Sequence, residues 1–177
     1  DNEGNVWDVS RGHGVSKLVN GMPYGTEGSV IHYEHSEADS NSLSHNYSWS
    51  FYSEDEKSFW VINWNSVDLF RHGRFEHVFK HIKGARSLLK ISNDTLIIGT
   101  YNGFYEAIKR KNSYALNSQT LPKYTVYDLT LDAAGRLWFA DPLHSRIVCY
   151  DRKRKIAMEF SPRDGFPEGV SFLEKTS

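Results

Sequence analysis

Four times along this chain an acidic, turn-forming patch runs straight into a short apolar segment centred on tryptophan or isoleucine. The segments are Asp1-Asn2-Glu3-Gly4-Asn5-Val6-Trp7, Glu54-Asp55-Glu56-Lys57-Ser58-Phe59-Trp60, Ser92-Asn93-Asp94-Thr95-Leu96-Ile97 and Asp132-Ala133-Ala134-Gly135-Arg136-Leu137-Trp138. Their centres, Trp7, Trp60, Ile97 and Trp138, are separated by 53, 37 and 41 positions, around the period of four-stranded propeller blades. The period predicts an all-β chain of β-propeller blades, with about four repeat units of four antiparallel strands.

A second anchor stands in phase with the first. Leu43-Ser44-His45-Asn46-Tyr47 precedes Glu54 by 11 positions, and Leu121-Pro122-Lys123-Tyr124-Thr125 precedes Asp132 by 11. The phrase returns at Phe166-Pro167-Glu168-Gly169-Val170, from which 11 positions reach Ser177 at the end. The chain thus begins on one acidic turn and stops where another is due. Two readings stay open: the strand near Val170 to Leu173 supplies an inner strand that the Trp7 blade lacks, or a boundary simply fell at a turn. The first residue is not methionine, so the chain is expected to be a segment of something longer.

Alternation of apolar and polar residues divides each unit into strands A to D. The last unit reads Tyr124 to Thr130, Arg136 to Ala140, Arg146 to Tyr150 and Lys155 to Phe160; the one before reads Ala85 to Ile91, Thr95 to Thr100, Gly103 to Ile108 and Ser113 to Leu116. The second unit reads Ser48 to Tyr52, Ser58 to Asn63, Val67 to Arg71 and Phe75 to Phe79. The first shows Val6 to Ser10 and Val15 to Leu18, followed by an insertion over residues 20 to 42 rich in turn formers. The expected blade units of this single domain are 1–47, 48–84, 85–123 and 124–168, with a further blade starting at 169–177. Strands B, such as Leu96-Ile97-Ile98, are continuously apolar because they are expected to be buried on both faces. Their tryptophans are therefore expected to pack between blades. The acidic turns have a local reason: a leading Asp accepts backbone amides two residues on, and Gly4 or Gly135 accommodates positive φ.

The order Leu121-Pro122, Val126-Tyr127-Asp128-Leu129, Asp132, Gly135 and Leu137-Trp138-Phe139-Ala140, echoed by Thr95-Leu96-Ile97-Ile98-Gly99-Thr100-Tyr101-Asn102-Gly103-Phe104, resembles the two-component regulator propeller repeat. That family occurs in extracytoplasmic sensor regions of bacterial hybrid histidine kinases, especially in Bacteroides-like organisms. Departures are Ile97 for the tryptophan, Lys57 for the glycine and Asp141-Pro142 where Gly-Thr is expected. The resemblance implies part of a larger propeller of the seven-bladed type, periplasmic, in a membrane-anchored parent whose kinase lies beyond a sandwich domain and a transmembrane helix.

Function in such a fold is carried by loops. The B to C turns and the connections into strands A are expected to share the ligand face. They carry Arg11, His13, Trp64, Asn65, Tyr101, Asn102, Tyr124, His144 and Arg146. Aromatic faces suit the apolar side of a sugar, and amide, imidazole and guanidinium groups suit its hydroxyls or carboxylates. Oligosaccharide or other small-molecule sensing is the leading expectation; a protein-interaction scaffold and a propeller glycosidase or lyase are the alternatives.

Other chemistries are disfavoured. Net charge is −1, which gives no general field for nucleic acid. The basic runs Lys109-Arg110-Lys111 and Arg152-Lys153-Arg154-Lys155 fall at turns. No nucleophile elbow, zinc signature or phosphate loop is present, so neither catalytic residue nor cofactor is assigned. The closest histidines, His32 and His35, point to opposite faces if Val30-Ile31-His32-Tyr33 is a strand, and His77 falls in an alternating segment; no metal is expected, and these histidines are read as solvent-facing. Cys149 lies alone in a strand-like run and is expected to be a small buried hydrophobe. An incomplete ring would leave a strand edge unpaired, so self-association through open blade edges is a further expectation.

Overall fold

The computed structural model describes residues 1–111 and 113–166; the strand expected near Val170 to Leu173 lies outside them. The described residues form four antiparallel sheets, each a meander of consecutive strands. The first holds β1 (Val6–Ser10), β2 (Gly14–Leu18) and β3 (Val30–Tyr33). The second holds β4 (Ser48–Ser53), β5 (Phe59–Asn63), β6 (Ser66–Arg71) and β7 (Arg74–Lys80). The third holds β8 (Ala85–Ser92), β9 (Thr95–Thr100), β10 (Gly103–Arg110) and β11 (Ser113–Leu116), and the fourth β12 (Tyr127–Leu131), β13 (Leu137–Asp141), β14 (Arg146–Asp151) and β15 (Ile156–Phe160). These are propeller-type blades. Two single-turn 3-10 segments, Pro142–His144 and Pro162–Asp164, are the helical elements among the described residues, and no helix there is long and apolar enough to cross a membrane.

The chain divides into two compact units, Asp1–Ala85 and Arg86–Ser177. In the first, Trp7 crosses from its own sheet to the next: its ring lies 4.8 Å from Phe59, 5.1 Å from Phe70 and 5.6 Å from Tyr33. Around it Val15, Leu43, Val61 and Phe75 complete the core. In the second unit the core gathers Ile97, Phe104, Val126, Leu137, Phe139 and Val148. Leu96, Ile97 and Ile98 are all buried, as a strand covered on both faces requires. Trp7 packs between sheets as expected, whereas Trp138 stacks at 5.5 Å on Phe160 of its own sheet. Cys149 is buried, and that burial raises its thiol pKa.

The insertion resolves into two parts. Residues 19–29 are a long turn joining β2 to β3, closed by Val19 N–H donating to Ser29 O at 2.9 Å. Residues 34–47 connect β3 to β4, and their loop is pinned rather than loose: Phe75 N–H donates to Asn41 O at 2.9 Å, and Ser42 Oγ bonds the carbonyls of Ser36 and Asp39. The histidines explain the rest. His77 Nε2 lies 2.7 Å from Ser42 O and His35 Nδ1 2.7 Å from Leu43 O, so these two are loop fasteners, correcting the expectation of purely solvent-facing rings.

The acidic turns do more than turn. Asp1 Oδ1 accepts from Glu3 N–H and Asp132 Oδ1 from Ala134 N–H, at 3.1 and 3.0 Å, with Gly4 and Gly135 at φ 78° and 75°. Their second oxygens reach six residues forward to the strand-B indole: Trp7 Nε1 donates to Asp1 Oδ2 at 2.7 Å and Trp138 Nε1 to Asp132 Oδ2 at 2.9 Å. Trp60 Nε1 makes the same bond to Glu54 Oε2 at 2.8 Å. A carboxylate clamp thus closes each turn that precedes a tryptophan.

The clamp leaves a titration signature. The Trp138 indole, followed by the Arg136 amide and guanidinium, holds the Asp132 carboxyl well below the usual carboxylate range. Because the folded value lies below the unfolded one, near 3.9, the stabilisation is present above about pH 4 and lost as pH falls through the folded value. Asp68 works in the opposite sense: burial raises its pKa, so stability declines as pH rises from the unfolded value through the folded one. Urea midpoints from pH 2 to 7 should therefore show a shallower acid limb for Asp132→Asn, and loss of the opposing slope above about pH 4 for Asp68→Asn. Parallel curves for variant and parent would refute both assignments.

Candidate functional site

In the first three sheets the turn at the end of strand B docks on the connector that leads into the next sheet. Gly12 N–H and Gly14 N–H both donate to Asn46 O, at 3.1 and 2.9 Å, and Gly84 N–H donates to Trp64 O at 3.1 Å. In the second unit Gly103 N–H donates to Tyr124 O at 2.6 Å and Val126 N–H to Thr100 O at 2.8 Å. This docking holds the connector back from the sheet and delays the start of β12 to Tyr127, three residues after the expected Tyr124. At Gly103, with φ 83°, a Cβ would lie 2.1 Å from Thr120 O, so only glycine allows the approach.

In the second, third and fourth sheets strand B ends on a buried polar residue that organises this junction: Asn63, Thr100 and Asp141. Asn63 Nδ2 donates to Asp68 Oδ2 at 3.0 Å and its Oδ1 accepts from Ser48 Oγ at 2.8 Å. Asp68 Oδ2 also takes Ser44 N–H at 2.8 Å. Thr100 Oγ1 donates to Gly103 O at 2.8 Å. Asp141 receives Arg146 Nε at 2.9 Å and lies 2.9 Å from His144 Nδ1.

In the first unit these junctions support an aromatic cluster. Trp49 stacks on Trp64 at 6.0 Å, and Tyr47 stands edge-on to both at 5.5 and 6.1 Å. The Arg11 guanidinium lies 4.4 Å from the centre of the Trp49 ring, tethered there by the Arg11 to Tyr47 bridge. Trp64 is 46% and Tyr47 37% exposed. Arg11 and Trp64, both predicted ligand contacts, are thus brought to one cluster, and His13 and Asn65 occupy the same two turns. Trp49 and Tyr47 were not in the predicted set. Trp49 falls inside a strand-A pattern, but an aromatic beside Tyr47 at the mouth of a connector was the available signal.

In the second unit the remaining predicted residues form two groups. Arg86 lies 3.9 Å from the Tyr101 ring centre and bonds its hydroxyl, with Tyr127 at 6.0 Å from Tyr101; Asn102 Nδ2 reaches Gln119 Oε1 at 3.5 Å. The other group is an ion network. Arg146 Nη1 donates to Glu159 Oε2 at 2.7 Å, and Tyr124 Oη donates to Glu159 Oε1 at 2.5 Å. Tyr124 is 2% exposed, so it is a core residue rather than a displayed one; burial and Glu159 together push its pKa up to about 12. The exposed members of the predicted set here are Tyr101, Asn102 and His144.

No family model matches the chain, and no curated protein does. Solved structures do share its fold. The chain is similar to the extracellular domains described for two hybrid two-component systems of B. thetaiotaomicron. For BT3049 the identity is 16% and the TM-score 0.68, over 87% of this chain and 21% of that one. For BT4673 they are 15% and 0.70, over 90% and 24%. It is also similar to virginiamycin B lyase of Staphylococcus aureus, with 13% identity and TM-score 0.61 over 89% of this chain and 52% of that one. The chain therefore spans between a fifth and a quarter of the two extracellular domains, and the likeness establishes the propeller-type fold.

Proposed function

We propose that the chain is part of the extracytoplasmic, ligand-sensing propeller of a two-component receptor, and that it responds to an oligosaccharide. The carrying observation is the Arg11, Tyr47, Trp49 and Trp64 cluster: partly exposed rings beside a guanidinium, with His13, Asn46 and Asn65 in the adjoining turns. Flat apolar faces flanked by hydrogen-bonding groups match the two kinds of surface on a sugar ring. The fold shared with extracellular domains of hybrid two-component systems supports a sensing role, and the repeat resemblance points the same way. In the second unit, taken by itself, Tyr101, Asn102 and His144 are exposed on turns of the same type.

Screening neutral and uronic oligosaccharides by thermal shift and by NMR of the indole N–H groups tests the reading. The expected result is saturable binding without product release, weakened about tenfold or more by Trp64→Ala through loss of ring contact area. Turnover would favour the lyase or glycosidase alternative, and a chain that binds no glycan but captures a defined protein would favour the scaffold.

A further inference from the structure

A cavity of about 450 Å³ opens in the first unit at the end of the strands opposite the Trp64 cluster, beside the acidic turns. Its volume lies within the range of small-molecule sites. The first and second sheets form its walls, through Trp7, Tyr33, Phe51, Phe59 and Phe70. Phe51 is 42% exposed, so an aromatic face is open to an incoming group. Four carboxylates line the same cavity, Asp1, Glu3, Asp55 and Glu56, against two lysines, Lys17 and Lys57, with His72 on the β6–β7 turn. The aromatic wall already takes a cation: Lys17 Nζ lies 5.4 Å from the Trp7 ring centre.

We propose that this cavity binds an organic cation, an amine or alkylated ammonium carried on an apolar body. Aromatic faces attract a cation through their quadrupole, and the excess of carboxylates over lysines sets the sign of the preferred head group. The apolar body would lie along Phe51 and Phe59, with the head toward Glu3 and Glu56. These two carboxylates hold only side-chain amides, Asn5 Nδ2 at 3.2 Å and Asn2 Nδ2 at 3.2 Å, and both residues are exposed, so the fold does not depend on their charge. The site is separate from the proposed glycan surface, and either can fail without the other.

Phenethylamine, 2-phenylethanol and 3-phenylpropionate share one body and differ in head-group charge. Titrating each against the labelled protein while following the Trp7 indole N–H resonance, which reports the wall directly, decides the matter. The expected result is saturable binding of the amine, about fivefold or more tighter than the alcohol, with the carboxylate weakest. The Glu3→Gln/Glu56→Gln protein should lose that preference while its affinity for the alcohol is unchanged, and Phe51→Ala should weaken all three. No saturable shift with any probe, equal affinity for amine and carboxylate, or an amine preference that survives the double substitution would overturn the proposal.

Discussion

Trp60→Ala should cost about 3–5 kcal/mol of stability, the range for emptying a large buried aromatic site. Trp60 is the largest fully buried side chain among the described residues. It lies in β5 opposite Leu69 of β6 and Tyr52 of β4, with Phe79 at 6.0 Å. Truncation therefore opens a void that three strands border, and it also frees Glu54 from its indole partner. Trp60→Phe separates the two effects, because it keeps most of the ring volume and loses only the hydrogen bond, worth about 1 kcal/mol. Urea unfolding followed by tryptophan fluorescence gives both numbers. An alanine variant within about 1 kcal/mol of the parent would mean that the second sheet does not depend on this packing.

Asp141→Ala should cost about 3–5 kcal/mol, the penalty for removing one partner of a buried ion pair. The Asp141 side chain is fully buried, and Arg146, 16% exposed at its side chain, bonds it directly. Asp141 also accepts Thr125 N–H at 3.3 Å. Its loss would strand part of a guanidinium and release the connector into β12. The remaining Arg146 bond to Glu159 places the expected value at the lower end of the range. Asp141→Asn is the informative companion, since an amide oxygen can still accept from Thr125 and Arg146 while the charge is gone. A near-neutral alanine variant would show that the pair adds nothing net.

Most of the blade plan was legible because it is local. The turn, the apolar strand B and the 11-residue lead from the connector recur in sequence, and a period-two pattern is enough to place the later strands. What the pattern hid was contact over distance. The six-residue interval from Asp1 to Trp7, from Glu54 to Trp60 and from Asp132 to Trp138 was visible, yet turn chemistry alone accounted for the acid, so the indole bond went unread. Asp68 sat unnoticed inside the alternation Val67-Asp68-Leu69, because only the fold brings Ser44 and Asn63 to it. The predicted ligand residues lie on turns and connectors except Arg146, which opens β14, but sequence could not separate Trp64, which is displayed, from Tyr124, which is buried beneath Arg146.

The carboxylate clamp gives each tryptophan-bearing repeat a fastening that belongs wholly to itself. A unit copied in register carries its own latch, and the insertion over residues 20–42 leaves that latch whole because it falls outside the six-residue interval from Asp1 to Trp7. The Ile97 repeat, which has no indole to latch, is held by burial instead, with Leu96, Ile97 and Ile98 all covered.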